Sequence, residues 1–114
     1  MPSTTRRTNP SATPRFSLQG TLRGIRLFAT DVDGVWTDAG MYSSESGDEW
    51  KKFNTHDGMG IKLLQKAGIV TAIITQESTK IVMRRAQKLT IPEVHQGAYD
   101  KLAVLKELIA RHGF

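Results

Sequence analysis

The chain has 114 residues, of which 39% are hydrophobic and 24% are charged, and it contains no cysteine. This length suits one small domain and leaves no room for two full hydrophobic cores. The lack of cysteine excludes a disulfide framework, a zinc site built on thiolates and a cysteine nucleophile.

The net charge of +5 comes from the N-terminal end of the chain. Residues 1–30 contain no acidic residue, and residues 31–114 hold as many basic as acidic residues. The arginines responsible are Arg6, Arg7, Arg15, Arg23 and Arg26. The domain itself therefore has no basic surface that predicts nucleic-acid binding. The longest apolar run, 68–74, has the length of a strand and does not predict a membrane span.

Residues 1–22 are predicted to be a disordered basic tail, and residues 23–114 a single domain. The tail is rich in Ser, Thr, Pro and Arg, and such a composition cannot bury enough apolar surface to offset chain entropy. A transit peptide has a similar composition, but Pro2, Pro10 and Pro14 would interrupt its amphipathic helix. A plain flexible extension is favoured.

Strand and helix patterns alternate along the rest of the chain. The first are a strand at 25–30 and a hairpin with arms at 41–42 and 49–53 around a polar turn. A helix from 57 that ends at Gly68 and a strand at 69–74 follow. The last are a helix capped by Ser78 or Thr79, a short strand at 93–95 and a helix at 100–111. This alternation predicts an α/β fold with a parallel sheet, right-handed crossovers and helices on both faces.

Acidic and hydroxyl side chains follow the predicted strands, where ligands bind to parallel sheets. Asp31 and Asp33 come directly after the first strand, and Thr75 follows the second. Two carboxylates this close repel each other unless a cation neutralises them, and oxygen ligands favour a hard ion such as Mg²⁺. Gly34 would let the chain turn sharply and bring backbone amides towards an anion.

These residues fit phosphoryl transfer. A carboxylate beside Mg²⁺ can attack phosphorus and form an aspartyl-phosphate, and a second acid can protonate the leaving oxygen and then deprotonate water. The Thr75 hydroxyl would bond a phosphate oxygen. Lys101, at the start of the last helix, would neutralise the charge of the phosphate and the nucleophile.

Each residue also has a structural interpretation when it is taken alone. An isolated Asp-x-Asp is typical of a solvated acidic turn or an Asx turn. Thr75 alone would be a strand-end or helix-entry residue, and Lys101 alone a solvated helix lysine. The ordered set, with each member at the carboxyl end of a strand, favours the functional interpretation.

The chain resembles the haloacid dehalogenase superfamily of phosphotransferases. The first motif is matched by Asp31-Val32-Asp33-Gly34-Val35, the second by Ile73-Ile74-Thr75 and the third by Asp100-Lys101. More narrowly, it resembles the capless sugar-acid phosphatases that act on 3-deoxy-D-manno-octulosonate 8-phosphate or on nonulosonate (acylneuraminate) 9-phosphates. This narrower resemblance is carried by 30–38, 47–54, 57–61, 84–89 and 96–102, and it extends over about residues 24–112.

The resemblance implies a Mg²⁺-dependent phosphomonoesterase with a Rossmann-like sheet. Asp31 would be the nucleophile and a Mg²⁺ ligand, and Asp33 the general acid/base that binds the metal through its backbone carbonyl. Thr75 and Lys101 would hold the phosphoryl group. The hairpin, 41–53, would act as a flap.

The resemblance also implies residues for the rest of the substrate. Asp57 and Gly58 would lie beside it. Glu77, Arg85 and Lys88 match positions that bind the sugar acid in the nonulosonate branch. An exposed charged helix is the alternative interpretation of these last residues.

Members of this group form homotetramers in which a neighbouring subunit completes each pocket, and they are cytoplasmic. The absence of cysteine and of a signal peptide agrees with that location. Trp36 and Trp50 would anchor either the interface or the core, and a core position is favoured for each alone. His56, His95 and His112 lack metal-ligand spacing, so no histidine site is predicted.

Relatives continue beyond the last helix into a strand that ends in Gly-Asp-Asp and supplies a further Mg²⁺ ligand. This sequence ends at Phe114, before that strand, so the fold is expected to be incomplete at its C-terminus. Gln76 also replaces a glycine that often follows the threonine of the second motif. The alternative to a working phosphatase is therefore a catalytically impaired fragment that retains only the fold and the oligomer interface.

Overall fold

The structure, a computed structural model, describes residues 17–114. Its elements in chain order are α1 (Leu18–Arg23), β1 (Leu27–Thr30), β2 (Tyr42–Ser43), β3 (Glu49–Trp50), α2 (Thr55–Lys66), β4 (Val70–Ile74), α3 (Lys80–Lys88), β5 (Glu93–His95) and α4 (Lys101–His112). The predicted alternation of strands and helices is confirmed, with boundaries displaced by up to three residues.

The main sheet has three parallel strands in the order β1-β4-β5. Leu27 lies opposite Val70, and Ala72 lies opposite Glu93. β4 is central because its residues are apolar or small and are buried on both faces, as is usual for parallel strands covered by helices. Parallel pairing brings the carboxyl ends of all three strands to one edge of the sheet.

Helices cover both faces of this sheet, as predicted. Ile73 of β4 packs with Ile61 of α2 and Val82 of α3 in one apolar cluster. Its neighbours Ala72 and Ile74 point the other way, because side chains alternate along a strand, and they pack with Leu108 and other residues of the α4 side.

Side-chain caps fix where the helices begin. Asn54 accepts a hydrogen bond from the backbone N–H of His56 at the start of α2, and Thr79 does the same from Val82 at the start of α3. Of the two predicted caps, Thr79 is therefore the one used. Gly68 follows α2 with φ +85°, the left-handed conformation expected of a residue that ends a helix.

The predicted hairpin is formed by β2 and β3, in which Tyr42 lies opposite Trp50. Gly47 makes its turn with φ +93°. Trp36 is buried and packs edge-on against Phe53, which confirms its predicted core position. Trp50 is 53% exposed in the chain, so the core position favoured for it is wrong. A residue on a two-stranded hairpin has no second layer to cover it.

The N-terminal end begins differently from the sequence prediction. Leu18–Arg23 form α1, although most of these residues belong to the predicted disordered tail. Ser17 caps α1 by accepting a hydrogen bond from the N–H of Gly20. No residue of α1 is buried. The rest of the predicted tail, residues 1–16, lies outside the described residues. Among the helices described, none is long and apolar enough to cross a bilayer.

Candidate active site

The loop after β1 is held rigidly by local hydrogen bonds. The carboxylate of Asp31 accepts a hydrogen bond from the N–H of Val32 through Oδ1 at 2.7 Å. The carbonyl of Val32 accepts hydrogen bonds from the N–H groups of Val35 and Trp36, which closes a tight turn. Gly34 stands in that turn with φ +79°, a conformation that favours glycine. The turn therefore presents Asp31 and Asp33 at the edge of the sheet.

Trp36 stabilises the same loop through hydrogen bonds. Its Nε1 donates a buried hydrogen bond to Oγ1 of Thr30 at 3.0 Å, and that hydroxyl donates to the carbonyl of Asp31 at 2.8 Å. The predicted core tryptophan thus contacts the last residue of β1 and stabilises the backbone that carries the acidic pair.

A cleft of about 580 Å³ lies at the carboxyl ends of the three parallel strands. It is lined by Asp31, Asp33, Thr75, Gln76, Glu77, Ser78, Thr79, Gly97, Tyr99 and Lys101. The segment that follows each strand of the main sheet contributes residues to this lining. Five of the predicted site residues come together there, although they are far apart in the sequence.

Lys101 and Asp31 form an ion pair across the cleft. Nζ of Lys101 lies 3.1 Å from Oδ2 of Asp31, and both side chains are partly exposed. Burial alone would raise the pKa of Asp31, but the hydrogen bonds from Val32 and Lys101 outweigh it and hold that pKa below its ordinary value. Asp31 is therefore kept as a carboxylate.

Thr75 is buried at the end of β4, where two backbone hydrogen bonds fix it. Its N–H donates to the carbonyl of His95 at 2.9 Å, and its carbonyl accepts from the N–H of Ala98 at 2.9 Å. The residue is 2% exposed, and its hydroxyl also contributes to the low pKa of Asp31. The Thr75 side chain is thus a fixed donor at the floor of the cleft.

Lys51 reaches the site from the hairpin, although sequence reasoning gave it no role. Its Nζ lies 2.8 Å from Oδ1 of Asp33 and 3.1 Å from Oε1 of Glu77. Burial would lower the pKa of Lys51, but the hydrogen bonds to these two carboxylates outweigh it and raise that pKa. No spacing in the sequence signals this contact, because Lys51 and Asp33 meet only through the way the hairpin folds back.

The loops that follow β4 and β5 are joined to each other. The carbonyl of Glu77 accepts a hydrogen bond from the N–H of Gly97 at 3.2 Å. The side-chain oxygen of Gln96 accepts a hydrogen bond from the N–H of Thr79 at 2.7 Å. These bonds hold the two walls of the cleft at a fixed separation.

The remaining predicted substrate residues lie away from this cleft within the single chain. Asp57 lines two other cavities, beside Trp36. Gly58 is buried against Arg85, whose Nη2 would be 2.8 Å from a Cβ at that position. The Arg85 guanidinium lies over the Phe53 ring, 5.6 Å from its centroid. Lys88 is exposed at the end of α3. Their role in binding substrate stays a prediction.

The donor atoms at the cleft suit a hard divalent cation. Asp31 and Asp33 offer carboxylate and carbonyl oxygens, and the lining includes no sulfur or imidazole. Within residues 17–114 no group of three or more acidic or histidine ligands gathers at one point. Mg²⁺ commonly takes one or two carboxylates and fills its other positions with water and phosphate oxygens, so this donor set fits it.

The chain is similar to known phosphatases. It is 44% identical over 86 residues to the 3-deoxy-D-manno-octulosonate 8-phosphate phosphatase KdsC of Yersinia pestis, a match that covers 75% of this chain and 46% of the relative. The chain therefore spans about half the length of the curated relatives it matches. No protein-family profile matches it.

Solved structures show the same fold. The 3-deoxy-D-manno-octulosonate 8-phosphate phosphatase of Moraxella catarrhalis, in complex with magnesium, phosphate and KDO, matches with a TM-score of 0.80 and 40% identity over 83% of this chain and 55% of that one. A probable YrbI family phosphatase of Pseudomonas syringae pv. phaseolica matches with a TM-score of 0.79 and 48% identity, over 86% of this chain and 57% of that one.

Proposed function

This chain is a homologue of the 3-deoxy-D-manno-octulosonate 8-phosphate phosphatases of the haloacid dehalogenase superfamily, and on that premise we propose that it hydrolyses a phosphorylated 2-keto sugar acid. The observation that carries the proposal is the set Asp31, Asp33, Thr75 and Lys101 lining one cleft. These are the residue types and the strand ends that a phosphomonoesterase needs.

Asp31 is the proposed nucleophile. A carboxylate oxygen of Asp31 attacks the phosphorus, the bond from phosphorus to the ester oxygen breaks, and an aspartyl-phosphate forms on Asp31. The low pKa of Asp31 supports this role, since only the ionised carboxylate attacks. Lys101 pairs with Oδ2 of Asp31 and so restrains the Asp31 side chain. Its positive charge also offsets the negative charges of Asp31 and of the phosphate.

Asp33 is the proposed acid and base. As an acid it gives a proton to the ester oxygen as the sugar leaves, and as a base it then takes a proton from the water that hydrolyses the aspartyl-phosphate. Its carboxylate follows that of Asp31 by two residues on the same turn and borders the same cleft, which supports both steps. The Thr75 hydroxyl donates to a phosphoryl oxygen during both steps.

A Mg²⁺ ion is the proposed cofactor, held by the carboxylate of Asp31 and the backbone carbonyl of Asp33. When bound it neutralises charge on the phosphoryl oxygens. The Moraxella relative contains magnesium together with phosphate and KDO, which supports both the metal and a sugar-acid substrate.

We take 3-deoxy-D-manno-octulosonate 8-phosphate as the first substrate to test and an acylneuraminate 9-phosphate as the second. The matched relatives are named for the first. The second rests only on the resemblance at Glu77, Arg85 and Lys88. The resemblance of the chain to the capless sugar-acid phosphatases is also the ground for two further proposals. The first is a homotetramer, in which a neighbouring subunit would bring further residues to each cleft, and the second is a cytoplasmic location.

Phosphate release in the presence of Mg²⁺ tests the proposal. We expect the full chain to release phosphate from one of the two sugar-acid phosphates, and Asp31→Asn to lower kcat by at least about 10³-fold because the nucleophile is lost. Asp48→Asn, in the exposed turn of the hairpin, is the matched control and should keep full activity. Activity that survives in Asp31→Asn would refute the assigned nucleophile.

The second candidate is a non-catalytic remnant that keeps the fold and an oligomer interface. It is favoured by the absence, within residues 17–114, of any group of three or more acidic or histidine residues that could hold a metal ion. Calorimetric titration with Mg²⁺ separates the two candidates. A dissociation constant in the micromolar to low millimolar range supports the phosphatase, and no detectable binding supports the remnant.

A further inference from the structure

Lys51 is the most deeply buried charge at the cleft. It follows directly after β3, and its side chain is 2% exposed, compared with 44% for that of Lys101. A buried ammonium group is stable only where carboxylates or other acceptors replace the water that it has lost. Lys51 has two such partners, Asp33 and Glu77, on two separate loops.

The two contacts do different things. The bond to Asp33 occupies Oδ1 and fixes the rotamer of that carboxylate, while Oδ2 accepts no hydrogen bond from any residue in the described part of the chain. One oxygen is therefore held, and the other is free to exchange a proton. The bond to Glu77 links the hairpin to the loop between β4 and α3, which forms a wall of the cleft.

We propose that Lys51 is a positioning residue for Asp33 and that it also fastens the hairpin to the β4–α3 loop. The inference rests on the proposed function, because it assumes that Asp33 transfers the proton. It changes the interpretation of Glu77, whose carboxylate binds Lys51 and so acts on the site through that ammonium group. A misplacement of about 1 Å in a reacting group lowers the rate by about 10²-fold, so the loss of this anchor is measurable.

Lys51→Met tests the role, because methionine keeps an unbranched apolar chain and removes the charge. We expect kcat for the sugar-acid phosphate to fall by about 10- to 100-fold, with KM changed by less than about threefold. Lys51→Arg keeps a cation that can reach two carboxylates and should restore most of kcat. Lys106→Met, on the exposed face of α4, is the control and should match the wild type.

Glu77→Gln separates the positioning role from direct binding of the substrate. If Glu77 acts through Lys51, this variant lowers kcat less than Lys51→Met does and leaves KM nearly unchanged. A large rise in KM with an unchanged kcat would show that Glu77 binds the sugar acid directly, and would contradict the inference. So would a value of kcat in Lys51→Met within twofold of the wild type.

A second measurement does not need activity. In protein labelled with ¹⁵N-lysine, the shielded NH₃⁺ group of Lys51 should exchange slowly enough with water to give an NMR signal near neutral pH. We expect that signal to be missing in Lys51→Arg and broadened in Glu77→Gln, but unchanged in Lys106→Met. No slowly exchanging lysine signal would overturn the inference. If the wild type releases no phosphate yet shows this signal, the proposed function fails and the Lys51 contacts stand.

Discussion

Individual side chains at the cleft are held by residues that take no part in the chemistry. Trp36 is the clearest example, because its indole N–H reaches Thr30, whose hydroxyl in turn bonds the carbonyl of Asp31. The buried indole ring of Trp36 and its hydrogen bond to Thr30 thus both stabilise the loop after β1. The sequence indicates that Trp36 belongs to the core. Its bond to Thr30 joins residues six apart on two sides of a turn and needs the folded geometry to be seen.

Trp36→Phe should destabilise the chain by about 2 kcal/mol, since it loses volume in the core and leaves the Thr30 hydroxyl without its donor. Trp50→Phe is the matched variant on the exposed hairpin and should cost less than about 1 kcal/mol. Urea unfolding of both variants measures the difference. Equal losses of stability would contradict the assignment of Trp36 as the buried member of the pair.

At the scale of elements, α4 is fastened to β5 at the end of the sheet away from the cleft. Glu93, the first residue of β5, lies 2.8 Å from Nη1 of Arg111, 2.8 Å from Nε2 of His112 and 3.0 Å from Nε2 of His95. Burial would raise the pKa of Glu93, but its bonds to His112, His95 and Arg111 outweigh burial and lower that pKa. The sequence gives no sign of this cluster, because Arg111 and His112 lie 18 and 19 residues from Glu93 along the chain.

Glu93→Gln should lower the free energy of unfolding at pH 7 by about 2 kcal/mol, because a buried carboxylate paired with the Arg111 guanidinium is lost. A carboxyl group whose pKa is lowered by folding stabilises the chain above its unfolded pKa of about 4.3, and this stabilisation disappears as the pH falls through the lower folded value. The difference between wild type and variant should therefore shrink below about pH 4.

Glu107→Gln, on the exposed face of α4, is the control for this measurement and should stay within about 0.5 kcal/mol of the wild type. Urea unfolding of the wild type and both variants at pH 7 and at pH 3.5 measures these differences in the free energy of unfolding. A difference for Glu93→Gln that is as large at pH 3.5 as at pH 7 would show that charge on Glu93 does not stabilise the fold.

Most elements of this chain are predictable from local patterns, and the reason is physical. The apolar run at 69–74 is too short for a helix and too continuous for a strand with a solvent face, so it predicts the central parallel strand that β4 forms. The sequence does not predict helix α1, because its six residues include only two large apolar side chains, Leu18 and Leu22, and both are exposed.

At the scale of the whole molecule, the parallel sheet converts distant sequence positions into one site. The site residues belong to different parts of the chain, because Asp31 follows β1, Thr75 follows β4 and Lys101 begins α4. Strand pairing alone brings these positions to the same edge of the sheet. That part of the site could be predicted from sequence. Lys51 could not, because its position depends on how a two-stranded hairpin packs across the sheet rather than on any strand end.

The central claim is that Asp31 carries the phosphoryl group during turnover, and chemical trapping tests it most directly. The chain is mixed with the sugar-acid phosphate and Mg²⁺, quenched within the first turnover and reduced with borohydride, which converts an aspartyl-phosphate to homoserine. We predict homoserine at position 31, located by tandem mass spectrometry of the peptide 27–51. Release of phosphate with an unmodified Asp31, or with homoserine at Asp33 or Asp38 instead, would contradict the account.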